Sequence, residues 1–583
     1  NKISYKNTEE RRLKIMDKNV KKYIQQTGIE KDPLALNMTR EQIPSVLLMK
    51  DSQKFIDEIA DIVTSGKRIC IIGDYDTDGV NSTSSQYRFL LLAIKYLNEK
   101  LDNPNPAKVM YYIPHRFEDG YGITPKVIDK VLLRNPKTDV LITCDNGIVA
   151  FEAAEYAKQK GLKLLITDHH LPLDNGKLPE ADVIVNPNRL DDDYPFKGIS
   201  GTVVVYKLFC EFAKQYCPEH LDQFLSFVDF AGISVISDVM NVTYENRVYL
   251  KETLDIFNGQ SKYPLRFAWV AMIESLRRSK KLEADHVFTE KDFGFLFSPM
   301  LNAQSRVFGD ASAGVETFLS TSTAEVREKA EFLISVNEKR KQISNESFAR
   351  ANETDHTGKS VIVIRDDLLG DGFIGLVAGK ITEKYNRPSV VFTEGHDGVL
   401  KGSARCPEGF NLIENLEVVR DLTIKMGGHS GAAGLSIPTG NLDEFTERLT
   451  KQFDKVIPKD FSNKIVPDLV MKPGDVNIDF LRDLNQYAPF GAGFPYPVVE
   501  VENLLVDQVK EMGKANKGEL KPHLKYLTKE GIDIVVWNAP DDLPREVEPG
   551  TSFSAAGTPE VNNFLGQVSI QMVCSPNNIE FQC

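Results

Sequence analysis

The sequence predicts a multidomain α/β protein with a parallel-sheet domain, a long connecting helix, a second α/β domain and a C-terminal β-rich barrel. Apolar, β-branched runs alternate with segments of helical spacing in the first half of the chain and again after residue 358. A polar stretch without Gly or Pro separates these two halves. Short β-rich runs between Gly, Pro and Asn turns fill the end of the chain.

The composition indicates a folded chain of several domains. Its 583 residues suffice for about three or four domains, and the hydrophobic (42%) and charged (26%) fractions are ordinary. We predict an N-terminal arm (1–48), a first domain (49–320), a connecting helix (321–357), a second domain (358–458) and a C-terminal domain (459–583). The net charge of −13 argues against a surface coated with basic residues but leaves room for a local basic groove.

Cysteine usage and hydropathy favour a cytoplasmic protein. The seven cysteines include no C-x-x-C pair, which is typical of reduced thiols rather than a disulfide framework or a zinc ribbon. No segment approaches the roughly 18 to 20 apolar residues of a membrane span. Residues 1–22 are charged throughout, without the apolar core of a signal sequence.

The first domain reads as alternating helices and strands. Helical spacing predicts a helix between residues 49 and 65, then a strand over 67–74, then a helix capped by Asn81 or Ser82. A strand over 140–144, a helix over 151–160 and strands over 163–167 and 182–185 follow. Residues 201–319 read as mostly helical. Such alternation is the signature of right-handed βαβ units and a mainly parallel sheet.

The second half begins with the connecting helix, predicted over 322–352. The second domain is predicted to contain strands over 361–364, 389–392 and 399–404 and a helix over 374–385. The β-rich runs 498–501, 532–537, 552–556 and 568–573 suggest a small barrel or sandwich.

Four segments place Asp or His directly after an apolar, β-branched run, and each run is interpreted as a strand. They are CIIGDYDTDG (70–79), VLITCDNG (140–147), LLITDHHLP (164–172) and ISVISDV (233–239). Parallel sheets bind their ligands at the carboxyl ends of their strands, so the four segments are expected to converge. The three carboxylates of DYDTDG would share one face of an extended backbone, and their mutual repulsion calls for a cation.

Each residue also has a simpler interpretation. Asp145 alone would be a helix cap or turn residue, and Asp238 alone a helix or core residue.

Asp168, His169 and His170 together supply a metal ligand, an imidazole free to contact substrate, and a carboxylate that fixes a tautomer. Jointly the four segments favour Mn²⁺ or Mg²⁺, as two ions bridged by one carboxylate. Two-metal sites are the usual solution for phosphoester hydrolysis.

The motifs DYDTDG, CDNG, DHH and ISD resemble the DHH phosphoesterase superfamily. Within it, the chain is similar along nearly its whole length to the RecJ family of single-strand-specific exonucleases. Further matches are residues 114–122, residues 299–303 with Arg306, and residues 401–405. The stretch GGHSGAAG (427–434) is similar to the signature of the DHH-associated domain. The resemblance implies a DHH domain, a DHH-associated domain and an OB-like barrel that binds single-stranded DNA by base stacking and a basic groove.

The resemblance also implies roles for individual residues. Asp76 and Asp78 would each bind one ion, with Asp145 as the bridge, and His169 and Asp238 would complete the second ion's ligands. His170, oriented by Asp168, would face the scissile phosphate, and Asp74 would be a ligand or lie just behind the ligands. The implied substrate-binding residues are Arg116, Asn302, Arg306, Ser403, Arg405, Gly428 and His429.

Two departures from the relatives stand in the sequence. Ile72 occupies a position where related pyrophosphatases have a His, so the first ion is expected to have fewer protein ligands. Leu369-Gly370-Asp371 replaces a Trp-His pair that RecJ proteins often carry, so no contact from that His is expected.

The implied activity is a 5′ to 3′ exonuclease that releases 5′-mononucleotides from single-stranded DNA in repair or recombination. A monomer is expected, with a helicase or a single-strand DNA-binding protein as a candidate partner. One alternative is a DHH phosphodiesterase of short oligonucleotides or cyclic dinucleotides, although such enzymes are typically much shorter. The other is a non-catalytic DNA-binding scaffold, although such relatives lose metal ligands.

Overall fold

The computed structural model describes residues 16–395, 397–458, 461, 465–513, 523–540, 543–564 and 567–582. The first fifteen residues of the predicted N-terminal arm lie outside the described residues, as does Cys583. Two compact units are present. The larger contains residues 40–241 and 245–461, and the smaller contains residues 16–39, 242–244 and the described residues from 465 onward.

The larger unit contains the predicted parallel sheet. Its strands are β1 (Arg68–Ile72), β2 (Lys108–Tyr112), β3 (Val140–Cys144), β4 (Lys163–Thr167) and β5 (Val183–Val185). They pair in the order β2-β1-β3-β4-β5, every pair parallel. The inner strands β1, β3 and β4 are almost wholly buried, because helices cover both faces of the sheet, and this explains their continuous apolar runs.

The α-helices of the two units are numbered in chain order. They are α1 (Lys18–Thr27), α2 (Leu34–Asn37), α3 (Ser52–Thr64), α4 (Thr77–Leu101), α5 (Pro125–Arg134), α6 (Phe151–Gln159), α7 (Gly201–Tyr216), α8 (Leu221–Leu225), α9 (Val228–Ser237), α10 (Tyr244–Phe257), α11 (Phe267–Arg278), α12 (Glu290–Asp292), α13 (Ser298–Phe308), α14 (Ser312–Leu319), α15 (Thr323–Ala351), α16 (Ile374–Tyr385), α17 (Leu412–Leu416), α18 (Leu442–Val456) and α19 (Ile478–Asn485).

Two sequence predictions in the first domain are wrong. The run 233–236 is not a strand: it belongs to α9, and Asp238 follows at the C-terminal end of that helix. Residues 228–235 are buried on all sides, so the helical period disappears and a β-branched run imitates a strand. The helix after β1 begins at Thr77 rather than near Asn81, because the Asp76 side chain accepts a hydrogen bond from the backbone N–H of Gly79.

A buried polar network joins the helices behind the sheet edge. The side chains of residues 81–85 on α4 are buried although all are polar. Asn81 donates to the Ser234 hydroxyl at 3.1 Å, and Ser234 donates to the Thr202 hydroxyl at 3.0 Å. The starts of α4 and α7 and the middle of α9 are thereby tied together.

The second α/β domain follows the predicted connecting helix, which is present as α15. Its strands are β6 (Ile362–Arg365), β7 (Ser389–Glu394), β8 (Val399–Arg405), β9 (Lys425–Gly428) and β10 (Ala432–Pro438). They form a sheet in the order β6-β7-β8-β10-β9, in which only β6 and β7 are parallel. Helix α16 occupies the predicted residues, whereas β9 is not predicted by the sequence.

The smaller unit is an OB-like β domain with the N-terminal helices packed on it. Its strands are β11 (Leu469–Met471), β12 (Val499–Met512), β13 (His523–Thr528), β14 (Ile532–Val536), β15 (Ser552–Phe564) and β16 (Gln567–Phe581). The order is β11-β12-β13-β14-β16-β15, and β12 also pairs with β15. The five strands β12 to β16 are therefore paired in a closed circuit, as expected of an OB-like fold. On α1, Val20 and Tyr23 are buried in the core of this unit.

Among the described residues, none of the helices is both long enough and apolar enough to cross a bilayer. The six described cysteines are free thiols.

Candidate metal centre

The four ligand-bearing segments meet at the carboxyl edge of the first sheet. In three overlapping groups, the possible ligand atoms lie within 4.8 Å of one another. The groups are Asp74, Asp76 and Asp145; Asp78, His169 and Asp238; and Asp145, His169 and His170. Every residue predicted to bind a metal therefore lies in one cluster.

Asp78 is anchored by the start of α7. Its carboxylate accepts hydrogen bonds from the backbone N–H groups of Gly201 at 2.7 Å and Thr202 at 3.1 Å. Ser200 caps the same helix. The free N–H groups and partial positive charge of a helix N-terminus favour a carboxylate at this point.

Asp145 occupies a tight turn that requires a glycine neighbour. Its φ is 63°, in the left-handed region that Asp tolerates better than most residues. A Cβ atom on Gly201 would lie 2.7 Å from both Cβ and Oδ1 of Asp145. Because Gly201 has no side chain, the carboxylates of Asp78 and Asp145 can both lie close to the start of α7.

Asp168 orients the two histidines. Its Oδ1 accepts hydrogen bonds from the backbone N–H groups of His169 at 2.7 Å and His170 at 3.1 Å, and lies 2.8 Å from His170 Nδ1. Its Oδ2 accepts from the backbone N–H of Ile148 at 2.9 Å. With both oxygens engaged, Asp168 is placed to fix the imidazole of His170.

Two asparagines that the sequence reasoning missed hold the same segment from behind. Asn186 donates to the backbone oxygen of His170 at 2.9 Å, and Asn188 donates to that of His169. They follow β5, whose strand was predicted, and that position at the sheet edge was the available signal.

His169 lies at the centre of the cluster. Its Nε2 is 3.1 Å from Asp145 Oδ1, 3.4 Å from Asp238 Oδ2 and 3.8 Å from Asp78 Oδ2. Asp238 is the more open of these carboxylates, with 28% of its side chain exposed against 1% for Asp78.

The donor set fits divalent cations. Asp74 Oδ1, Asp145 Oδ1 and His169 Nε2 are buried and have no hydrogen-bond partner among the described residues. Buried polar atoms of this kind are costly unless something satisfies them. Carboxylate oxygens with one imidazole nitrogen are ligands suited to Mn²⁺ or Mg²⁺.

The electrostatics of the protein alone oppose the charged forms of the ligands. Burial, reinforced by neighbouring carboxylates, raises the pKa of Asp74, Asp76 and Asp145. Burial and the nearby Asp78 raise the pKa of Asp238 to about 8. Burial lowers the pKa of His169. Cations at this site would reverse the effect on the carboxylates.

The pKa of His170 is shifted in the opposite direction to that of His169. Burial opposes its charged form, but the hydrogen bond to Asp168 and that carboxylate's charge raise the pKa of His170 to about 9. Burial likewise opposes the charge on Asp168, yet the contact with His170 leaves the pKa of Asp168 below its usual range. The two directions agree with an imidazolium–carboxylate pair.

An aromatic loop over residues 113–122 contacts one side of the site and was not predicted to take part beyond Arg116. The Tyr121 hydroxyl lies 2.9 Å from the backbone oxygen of Asp145 and 3.1 Å from His170 Nε2. The Arg116 guanidinium lies 4.9 Å from the centre of the Tyr75 ring, which contacts Tyr121 edge-on. The only signal in the sequence was the match over 114–122.

Arginines gather next to the carboxylates. Burial, and then the nearby Arg116, Arg340 and Arg405, lower the pKa of Arg306 to about 10, while Asp76 acts in the opposite direction. Arg306 also donates to the backbone oxygen of Gly372 at 3.3 Å, which ties α13 to the second α/β domain.

A basic groove extends from this cluster between α15 and α16. It has a volume of about 480 Å³ and is lined by Arg340, Lys341, Lys380 and Arg405, with Gly375 and Gly379 among the remaining residues. Sequence reasoning singled out Arg405 but missed the basic residues of the two helices, because a lone Arg or Lys on a helix is usually a solvated surface residue.

The remaining predicted substrate-binding residues have different hydrogen-bond partners. Asn302 accepts a hydrogen bond from the Thr77 hydroxyl at 3.1 Å, beside the ligand-bearing loop. Ser403 accepts from Arg405 at 2.9 Å. Gly428 is the last residue of β9, and His429 follows it in the exposed turn to β10, where it is hydrogen-bonded to Gly431 and Ala432. The turn is next to Arg405, which pairs with Ala432 across the sheet.

Family models match three parts of the chain. The DHH family N-terminal domain matches residues 68–231, the DHHA1 domain matches residues 358–455, and the RecJ OB domain matches residues 467–575.

Curated relatives match over most of the chain. The single-stranded-DNA-specific exonuclease RecJ of Bacillus subtilis (strain 168) is 30% identical over 540 residues, which cover 90% of this chain but 63% of the relative. The protein of the same name from Salmonella typhimurium is 29% identical over 548 residues, which cover 87% of each chain. This chain therefore spans somewhat less than two thirds of the Bacillus relative and most of the Salmonella one.

Solved structures share the fold. RecJ from Thermus thermophilus in complex with Mn²⁺ superposes with a TM-score of 0.74 at 21% identity, covering 96% of this chain and 75% of that one. A second structure, exonuclease RecJ bound to manganese, has a TM-score of 0.56 at 25% identity and covers 71% and 97% of the two chains. The DHH, DHHA1 and RecJ OB matches occur together in one chain, which is therefore similar to RecJ proteins of the DHH superfamily over most of its length.

Proposed function

We propose that the chain is a metal-dependent exonuclease that degrades single-stranded DNA from the 5′ end to 5′-mononucleotides, in DNA repair or recombination. The observation that carries the proposal is the cluster of metal-ligand side chains, with three unpartnered buried ligand atoms, beside a group of arginines. The relatives named as single-stranded-DNA-specific exonucleases support the substrate class. The 5′ polarity rests on the resemblance to RecJ.

Two divalent ions, Mn²⁺ or Mg²⁺, are proposed to occupy the cluster. Asp74, Asp76 and Asp145 would hold one ion, and the group of Asp78, His169 and Asp238 would hold the other, with Asp145 between them. Such ions activate a water molecule and neutralise charge that develops on the phosphate oxygens.

The protein's own groups bind and orient the strand. His170, 45% of whose side chain is exposed, is proposed to donate a hydrogen bond to an oxygen of the scissile phosphate. Arg116, Arg306, Ser403 and Arg405 are proposed to hold phosphates on either side of it, because a guanidinium matches the geometry of phosphate oxygens. Asn302, Gly428 and His429 are proposed to contact the adjoining nucleotide.

Replacing Asp145 tests the proposal directly. Asp145→Ala removes the carboxylate shared by two of the ligand groups, so Mn²⁺-dependent hydrolysis is expected to fall by about 10⁴-fold, as when an essential catalytic group is removed. Because Asp145 is buried among other carboxylates, its loss relieves repulsion and offsets the strain of an Ala at a φ of 63°, so the metal-free protein should remain folded. Thermal melts followed by circular dichroism check the fold. Substantial Mn²⁺-dependent activity in this variant would refute the assignment.

A panel of labelled substrates separates the alternatives. A long 5′-labelled single strand, a 3′-labelled one, a duplex, and an RNA of two or three nucleotides are incubated with Mn²⁺, Mg²⁺ or chelator. Early release of the 5′ label as a mononucleotide from the long strand alone supports the proposal. Preference for the short RNA would indicate a phosphodiesterase of short oligonucleotides, and binding without hydrolysis would indicate a scaffold.

The protein is proposed to act as a monomer. All groups of the metal-ligand cluster come from one chain, so a monomer suffices for the chemistry. A helicase or a single-strand DNA-binding protein is the proposed kind of partner, because each generates or covers the single strand that this site accepts.

A further inference from the structure

Tyr121 contacts three of the four segments that carry ligands. Its hydroxyl lies 2.9 Å from the backbone oxygen of Asp145 and 3.1 Å from Nε2 of His170. Its ring meets that of Tyr75, between Asp74 and Asp76, edge-on with centroids 6.2 Å apart. Tyr121 itself belongs to the loop between β2 and α5 and to none of the ligand groups.

The position of the hydroxyl is set by the backbone on both sides. Gly122 has a φ of 64°, and a Cβ atom there would lie 3.0 Å from Cβ of Asn146, directly after Asp145. Ile123 donates its backbone N–H to Asn146 Oδ1 at 3.1 Å. The loop that presents Tyr121 is therefore fastened to the turn that presents Asp145.

The hydroxyl and Asp168 both contact the imidazole of His170. Nδ1 of the ring lies 2.8 Å from Asp168 Oδ1. The Tyr121 oxygen lies 3.1 Å from Nε2 and 3.4 Å from Nδ1, which places it against the face of the ring, and its proton is directed to the backbone oxygen of Asp145. A ring bonded at Nδ1 and packed against an anchored hydroxyl on one face has one orientation, whereas a ring bonded at Nδ1 alone can tilt about that single contact.

We propose that Tyr121 is a positioning residue of the exonuclease: its hydroxyl holds the imidazole of His170 at a fixed place relative to the turn of Asp145. The inference rests on the proposed function, because it assigns His170 to the scissile phosphate. It adds a residue that belongs to none of the ligand groups yet determines where the imidazole meets the substrate.

The test removes the hydroxyl and keeps the ring. Tyr121→Phe retains the contact with Tyr75 but removes the oxygen that packs against the His170 ring. We expect kcat on long single-stranded DNA with Mn²⁺ to fall by about tenfold to a hundredfold, since small misplacements of reacting groups have effects of this size. KM and the Mn²⁺ affinity measured by calorimetry should stay within about twofold. The matched control is Tyr156→Phe, which removes a surface hydroxyl that bonds Asp129 at 2.7 Å and should leave kcat unchanged.

A double-mutant cycle with His170→Gln shows whether Tyr121 acts through His170. If it does, Tyr121→Phe lowers kcat no further in the His170→Gln background. Additive losses would overturn the inference. So would a fall in Mn²⁺ affinity of more than about tenfold, because the hydroxyl would then act through Asp145.

A readout without catalysis separates this inference from the proposed function. Ring ¹⁵N–¹H spectra of protein labelled in its nine histidines are compared for the wild type and Tyr121→Phe, with the His170 signals assigned by their loss in His170→Gln. The His170 signals are expected to move and those of His115 to stay. Unchanged His170 signals overturn the inference even if the enzyme hydrolyses DNA as proposed, and an inactive wild type overturns the function while the spectra still decide the role of Tyr121.

Discussion

At the scale of single residues, Gly201 supports the metal site although it is not a ligand. Its backbone N–H donates to Asp78, and the space where its side chain would be is occupied by Asp145. Alanine has the higher helix propensity, by roughly 1 kcal/mol, so propensity alone would favour a substitution here. A Cβ atom 2.7 Å from Asp145 cannot be accommodated without displacing that turn.

Gly201→Ala is therefore expected to weaken Mn²⁺ binding by about tenfold or more, equivalent to ~1.4 kcal/mol. Isothermal titration with Mn²⁺ measures the effect. Gly440→Ala is the matched control, since a Cβ atom there has nothing within 4 Å. Equal Mn²⁺ affinities for the two variants would contradict the close packing of Asp145 on α7.

At the scale of secondary-structure elements, α13 and the second α/β domain meet through a close approach at one glycine. A Cβ atom on Gly372 would lie 2.4 Å from the backbone oxygen of Arg306. Arg306 donates to the backbone oxygen of Gly372 in return. The location of Arg306 beside the carboxylates thus depends on this glycine.

Gly372→Ala is expected to raise KM for single-stranded DNA by about tenfold while leaving Mn²⁺ affinity unchanged, because it displaces a phosphate-binding group and no metal ligand. Steady-state kinetics and calorimetry measure the two quantities. Gly370→Ala serves as the control, since the nearest atom to its Cβ would be 3.6 Å away. A loss of Mn²⁺ affinity in Gly372→Ala would contradict this division of roles.

Elements whose pattern is local were predictable from the sequence. Strands β1, β3 and β4 follow from apolar runs that end at Asp or His, and α15 and α16 follow from helical spacing. The segment before Asp238 was assigned wrongly because a helix buried on all sides has no polar face to show its period. Contacts made by distant segments, such as that of Tyr121 with His170, leave no spacing in the sequence and needed the structure.

At the scale of the whole molecule, the metal site couples stability to pH. In an unfolded chain an Asp titrates near pH 3.9, whereas in the folded, metal-free protein the pKa of Asp238 is about 8 and those of Asp74 and Asp145 are also raised. Between these values the folded state binds more protons than the unfolded state, so stability falls as pH rises. Metal ions bind the ionised carboxylates and oppose this loss.

The melting temperature of chelator-treated protein is thus expected to decrease from about pH 5 to about pH 8, the interval between the unfolded and folded pKa values. The increase in melting temperature caused by Mn²⁺ should grow over the same interval. Scanning fluorimetry at fixed ionic strength measures both. Asp238→Asn should flatten the decrease, and an unchanged slope in that variant would show that other groups cause it.

The unequal anchoring of Asp78 and Asp238 has a consequence for how the centre is assembled. Asp78 is secured by two backbone N–H groups at the start of α7, while Asp238 follows the end of α9 and keeps 28% of its side chain exposed. Asp78 can hold its position before an ion binds, whereas Asp238 can take its final position after the ion has bound. Ion capture and release would then proceed from the Asp238 side, which makes the dwell time of the ion a property of one carboxylate rather than of the whole cluster.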